Sequence, residues 1–414
     1  MVVISPDFFS SGIKRIARPK EAPKYYLKFK LRDLEIPIFV FQNFAMMETK
    51  HNWTKEEILE IYNKPLMELI YDAATVHRTY HDPLEVQVSS LISIKTGGCS
   101  EDCGYCPQAA RYHTGVEKND LLSVDVVREM ATNAKDSGAS RVCLGAAWRN
   151  VENNEDFDNV LDMVKEVNSM NMEVCCTLGM LSQDQARRLK EAGLYAYNHN
   201  LDSSEDFYKE IISTRGYDDR LRTIEHAQNE GIHVCSGGII GMGEDENDRV
   251  AMLYTLANMT PHPGSVPING LVPVPGTPLE EQKPVEIWDM VRMIATARIV
   301  MPKAEVRLSA GRQHMSQEGQ SMCFMAGASS IFAGDKLLTT PNPEYNEDME
   351  LFKILGVKPK AAFTAGEQPT TKASYKEVNE EGREKWSRPA HDIDRNIEAT
   401  EKGKAARKEL KEVK

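Results

Sequence analysis

The sequence predicts an α/β protein folded as a (β/α)8 barrel of the TIM type, with a short N-terminal helical lead-in and a polar C-terminal tail. Three observations carry this. Eight apolar, strand-like runs recur between residues 87 and 334, close to the ~250 residues such a barrel needs. Helix-like segments separate them, the alternation that places parallel strands inside a layer of helices. Two of the helices open with a capping box, Thr54 with Glu57 and Ser182 with Gln185, in which hydroxyl and side-chain acceptor satisfy each other's backbone N–H groups. A doubly wound open sheet is the rival, with fewer strands and a different ligand position. Periodicity alone does not separate the two.

Taken in order, the helix begun at Thr54 carries Ile58, Ile61 and Leu66 and forms the lead-in. The expected strands are residues 87–94, 140–147, 173–179, 194–201, 233–240, 265–272, 305–311 and 330–334. The helix begun at Ser182 stops near Gly193, a residue suited to the left-handed end of a helix. Three segments follow: an N-terminal extension over 1–46, the barrel over 47–360, and a charged tail over 361–414.

The extension is basic up to Arg32 and then carries an apolar stretch, IPIFVFQNFAMM. Asp7, Glu21, Asp33 and Glu35 are unfavourable for a mitochondrial transit peptide, and the stretch is short and late for a secretory signal. An upstream in-frame start, with Met46 or Met47 as the ordinary beginning, is the expectation. From about Ala365 the chain is rich in Lys and Glu and poor in large apolar residues. Such a composition buries too little surface to offset its ordering entropy, so a mobile or helical tail is expected.

A net charge of -12 argues against a general nucleic-acid binder. No apolar run approaches the ~18 residues needed to span a bilayer. Eight cysteines in 414 residues are too sparse for a secreted disulfide scaffold. Clustered cysteines in a long chain point instead to metal or redox chemistry, and a reducing cytoplasm is expected.

The cysteines fall into two groups. Residues 99–106 read CSEDCGYC, placing Cys99, Cys103 and Cys106 in a C-x3-C-x2-C spacing. A tetrahedral zinc site or a cubane cluster wants four ligands, so three thiolates leave one metal with an open position for a small molecule. The second group is spread. Cys143, Cys175 and Cys235 each fall inside a different expected strand, and Arg307 inside a fourth. Alternate residues of a barrel strand point inward, so these four are able to converge, and only one of Cys175 and Cys176 should join them. Each cysteine alone reads as a small buried hydrophobe; three on separate strands with an arginine weaken that reading. Cys323, in MCFMAG, reads as a packed helix residue.

The C-x3-C-x2-C spacing resembles the cluster motif of radical S-adenosylmethionine enzymes. The segments IKTGGCSEDCGYCPQ, LGAAW, TLGML, YNHNLD, VCSGGIIGMGE, SVPINGLV, VRLSAGR, MCFMAGASSIF and LLTTPNPE, in that order over roughly residues 53–357, resemble those of the biotin synthase family. The resemblance implies a [4Fe–4S] cluster on Cys99, Cys103 and Cys106, with S-adenosylmethionine on its open iron. It implies a [2Fe–2S] cluster on Cys143, Cys175, Cys235 and Arg307, an arginine ligand that chemistry alone does not suggest. It further implies cofactor contacts from Asn200, Asp202, Arg220, Gly237, Ile239 and Gly241, and substrate contacts from Asn200 and Asn269. The implied reaction is radical insertion of sulfur into dethiobiotin, with no side chain acting as acid or base. A flavodoxin or ferredoxin electron donor, iron–sulfur assembly machinery and a homodimer are implied by the same resemblance.

Two other readings compete. Another radical S-adenosylmethionine enzyme would share the loop cysteines but not the set of Cys143, Cys175, Cys235, Arg307 and Asn269. A zinc-stabilised binding module would make the strand cysteines plain core.

Overall fold

A computed structural model of the chain describes residues 28–31, 34–37, 49–334 and 336–371. Expectations for the rest of the N-terminal extension, and for the tail beyond Thr371, lie outside the described residues. Within the extension, Lys28–Leu31 pairs antiparallel with Leu34–Pro37.

From Thr49 onward the chain forms a closed parallel barrel. Its strands are β1 (Glu85–Lys95), β2 (Arg141–Ala146), β3 (Glu173–Thr177), β4 (Ala196–Asn198), β5 (His233–Cys235), β6 (Gly238–Ile240), β7 (Ser265–Gly270), β8 (Glu305–Leu308) and β9 (Ser330–Ala333). Neighbours pair in sequence order, and β9 pairs with β1 to close the circle. The open-sheet alternative is thereby excluded. The expected run 233–240 is one barrel position made of two short strands, β5 and β6, both paired to β7. The break falls at Ser236–Gly237, where a Cβ on Gly237 would lie 2.0 Å from the Pro267 carbonyl oxygen. Only a glycine admits so close an approach.

Helices cover the outside. Both expected capping boxes are present: Thr54 opens α1 (Lys55–Tyr62), and Ser182 opens the helix over Gln183–Glu191. The lead-in continues as α2 (Leu66–Tyr80), which packs on the helix over Ile287–Val300. Outward residues of the strands, such as Val88, Val142, Leu144, Val174, Cys176, Val266, Ile268, Val306 and Ile331, join the helices in one large apolar core.

The inside of the barrel is different. A barrel of this kind is ordinarily filled by layers of branched aliphatic side chains. Here charged, polar and thiol groups share the interior with Leu91, Tyr195 and Phe332. Arg141 pairs with Glu173, Arg307 reaches Gln87, Ser89 and Ser330, and Cys143 and Cys175 pack together beside Tyr195 and Ala196. A barrel interior that holds such polar groups and thiols is a site rather than a filler. The chain from Lys358 does not leave this body at once: Lys358 and Pro359 pair with the start of β1, and residues 361–371 lie against the barrel's lower end.

Candidate active site

The loop of residues 99–106 follows β1 at the top of the barrel, where β1 ends and its chain must turn. Gly97 and Gly98 both take left-handed backbone angles in that turn. Cys103 is buried, while Cys99 and Cys106 are partly exposed. The loop is held by its own carboxylates. Asp102 accepts from the Ser213 and Thr214 backbone N–H groups at 2.9 and 3.2 Å, from the Thr214 hydroxyl at 2.9 Å, and from the Ser213 hydroxyl. The Thr214 hydroxyl, which has one proton to give, also lies within reach of the Glu101 carboxylate, and Glu101 faces Arg149 at 3.4 Å. The Arg215 guanidinium stands 3.9 Å from the Cys103 sulfur. Burial raises all three loop thiols, Cys106 to about 11. Without a metal they are neutral thiols, and a bound metal is what would make thiolates of them.

Among the described residues, no three His, Cys, Asp or Glu side chains gather closely enough around one point for a single ion. A cluster of several irons takes each thiolate at a separate corner, so a loop of three thiols suits it.

Below the loop lies the second set. Cys143 and Cys175 are register partners on β2 and β3 and hydrogen-bond to each other. Arg307 Nη1 lies 3.6 Å from the Cys235 sulfur. Its Nε donates to the Ser330 hydroxyl at 2.9 Å, and its plane stacks 4.4 Å from the Phe332 ring centre. The Cys143 thiol is drawn down to about 7, first by the hydrogen bond from Cys175 and then by Arg307 and Arg141. The same bond, with burial, pushes Cys175 up. Cys176, one residue on, faces the outer core, and Cys323 packs there too. The three thiols and the guanidinium thus come from four strands to one buried level, a donor set that fits a small iron–sulfur centre.

A cavity of about 230 Å³ separates the two sets, and Cys106 and Cys143 both line it. Asn200, Asp202, Ile239 and Asn269 line it as well. Asp202 sits at a left-handed backbone angle and accepts from the Tyr105 hydroxyl at 2.7 Å and from Arg220. Arg220 stands behind it, outside the cavity wall. It donates to the Tyr208 hydroxyl at 2.9 Å and the Asn200 carbonyl at 2.5 Å, so three of its five donors are taken by the protein. Asn269 bridges two backbones, donating to the Gly238 carbonyl at 2.9 Å and accepting from the Ala310 N–H at 3.2 Å. Gly237 and Gly241 do not line the cavity. Gly237 serves the close approach of β7, and Gly241 combines a left-handed angle with a Cβ position 2.4 Å from Val285.

Residues not singled out from the sequence also form the wall. Asn198 donates to the Thr177 hydroxyl at 3.0 Å, and both line the cavity. Asn198 lies two residues before Asn200, so the period of a strand was the available signal. Leu337–Thr340 completes the wall.

Comparisons with known proteins agree with this arrangement. Residues 93–256 match the family model of the Radical SAM superfamily, and residues 267–358 match that of the Biotin and Thiamin Synthesis associated domain. The biotin synthase of Christiangramia forsetii is 66% identical over 360 residues, covering 86% of this chain and 99% of the relative. The mitochondrial biotin synthase of Arabidopsis thaliana is 56% identical over 312 residues, covering 75% of this chain and 82% of the relative. Among solved structures, methylornithine synthase superposes with a TM-score of 0.64 at 19% identity, covering 74% of this chain and 94% of its own. The FeFe-hydrogenase maturase HydG of Carboxydothermus hydrogenoformans gives 0.63 at 16% identity, covering 75% and 76%. These two likenesses establish the barrel fold.

Proposed function

This chain belongs to the biotin synthase family, and from that membership we propose a division of labour between its two cysteine sets. It is a radical S-adenosylmethionine enzyme that inserts sulfur into dethiobiotin, using iron–sulfur clusters and an electron donor. In the proposed division, Cys99, Cys103 and Cys106 hold a [4Fe–4S] cluster, and Cys143, Cys175, Cys235 and Arg307 hold a [2Fe–2S] cluster. The observation that carries it is the cavity whose wall contains a thiol of each set, Cys106 at one side and Cys143 at the other.

The reaction explains why such parts are needed. The carbons that receive sulfur are not acidic, and no side-chain base removes a proton from an unactivated C–H. When bound, the loop cluster with S-adenosylmethionine supplies a carbon radical able to take that hydrogen, and the second cluster supplies sulfur. The chain's own residues bind, orient and exclude water. Asn200 and Asn269 place polar groups on the wall at fixed angles, because each is already tied to backbone. Asp202, held by Tyr105 and Arg220, offers its carboxylate edge beside Asn200 for a ribose hydroxyl. Arg220, behind the wall, acts through these two, holding the Asp202 carboxylate and the Asn200 carbonyl in place. Ile239 adds an apolar surface, while Gly237 and Gly241 let that strand pass close. Misplacing any of these by ~1 Å is expected to cost on the order of 10²-fold in rate.

The reading extends, on resemblance alone, to a flavodoxin or ferredoxin donor, iron–sulfur assembly machinery, a homodimer and the cytoplasm. Among the described residues no helix is long and apolar enough to cross a membrane.

The test is iron, sulfide and Mössbauer analysis of anaerobically reconstituted protein beside Cys143→Ala. Two distinct clusters in the parent, with only the [2Fe–2S] signal lost in the variant, is the expected result. A single cluster untouched by the substitution would reject the second site, and zinc without iron would reject both.

A further inference from the structure

The lower mouth of the barrel, beneath the second cysteine set, is covered by residues 360–371, which lie beyond the span of either matching family model. This segment is fastened at both ends. At its start, the Lys360 N–H donates to the Val86 carbonyl at 2.8 Å and its ammonium pairs with Glu305. At its far side, Gln368 donates to the Asn168 carbonyl at 2.8 Å, and Asn168 donates to the Pro369 carbonyl at 3.2 Å. Between the fastenings, Phe363 adopts a backbone φ of 60°. A residue with a bulky side chain takes that left-handed angle only where its surroundings impose it.

Those surroundings are the floor of the second site. The Phe363 N–H donates to Glu173 Oε1 at 2.7 Å, while the other oxygen of that carboxylate binds Arg141. The Phe363 ring meets Tyr195 edge-on at 5.5 Å between centres. It packs on the small group of buried residues formed by Cys143, Cys175, Tyr195 and Ala196. The cavity on the other side reaches Cys143 but not Cys175.

We propose that Phe363 is the stopper of the barrel's lower mouth, shielding Cys175 and the level around it from water and solutes on that side. The shielding stands on these contacts. Its use, keeping a radical-bearing centre dry and controlling access of sulfide and iron from below, rests on the function proposed above.

The two are tested apart. The full chain, metal-free and anaerobic, is treated with iodoacetamide, and alkylation is followed at each cysteine by mass spectrometry. Phe363→Gly removes the ring while suiting the left-handed backbone. It is expected to speed alkylation of Cys175 by about tenfold, the order that follows from losing the burial of a half-covered phenyl ring. Cys176, on the outer face of the same strand, and Cys323 should not change, and Phe363→Leu should stay close to the parent. An unchanged Cys175 rate would overturn the stopper, as would a rise shared equally by Cys176 and Cys323, which signals general loosening. Iron and sulfide analysis of the reconstituted parent reports separately on the second cluster, so its absence alongside a Cys175 contrast would reject the cluster and leave the stopper standing.

Discussion

The two cysteine sets sit in one barrel but are built in opposite ways. The upper one is a single loop, three cysteines within eight residues, and its geometry is set by the carboxylates of Glu101 and Asp102 gripping Ser213 and Thr214. The lower one has no local sequence at all. It exists because β2, β3, β5 and β8, of which only β2 and β3 are neighbours, are brought to one level by the register of the strands between them around a closed circle. A loop site fails when its clamp is removed; a register site fails when the barrel's floor does.

The largest expected effect tests that separation directly. Cys99→Ala should abolish the upper cluster and leave the lower one assembled, Cys143→Ala the reverse, and each should reduce biotin formation to background. Iron and sulfide content with Mössbauer spectra distinguish the two cases, and loss of both clusters from either variant would break the comparison.

Next comes the floor of the lower set. Glu173 is 2% exposed and pairs with buried Arg141 at 2.7 Å. Glu173→Gln leaves that guanidinium without a counter-charge, at a cost of about 3–5 kcal/mol. Urea denaturation of the metal-free protein measures it, and a loss below ~1 kcal/mol would mean that the pair is dispensable. The corresponding change above, Asp102→Asn, keeps one acceptor of the clamp and should cost about 2 kcal/mol. Its iron deficit should fall on the upper site alone.

A smaller effect concerns pH. His77 and His81, on and just beyond α2, are held down to about 3 and about 4, by burial first and by Arg298 next. Their folded values lie below the ordinary 6.5, so the unfolded chain takes up protons that the native chain refuses. Stability is therefore full above pH ~6.5 and falls as the pH drops toward 4. His77→Leu should flatten that slope by about one proton in urea titrations between pH 7 and 4; an unchanged slope would clear His77 of the effect. The smallest change is Asn198→Ala, which removes one hydrogen bond to Thr177 and should cost about 1 kcal/mol, read as a small shift in thermal midpoint.

The contrast also explains what could be read from the residues alone. The barrel, its strand positions and both capping boxes follow from local pattern and period. That only one of Cys175 and Cys176 turns inward follows from strand alternation, and the choice of Cys175 rests on that parity together with the family resemblance. The carboxylate clamp was not legible, because Asp102 reaches partners 111 and 112 residues away. Nor was the break at Gly237, since its cause is the carbonyl of a residue on another strand. The packing of residues 361–371 was hidden for a similar reason: composition suggested a mobile or helical tail, whereas the partners that hold these residues, Glu173, Tyr195 and Asn168, lie far off in sequence.

Arg307 has one more consequence. Its guanidinium is 1% exposed and is held from several sides, by Ser330, Gln87 and Ser89 along its edge and by the Phe332 ring across its face. A side chain seated in this way has no other rotamer to fall into, and it holds its place 3.6 Å from the Cys235 sulfur by contacts of its own. The lower level therefore has one member whose position does not wait for an inorganic core to arrive.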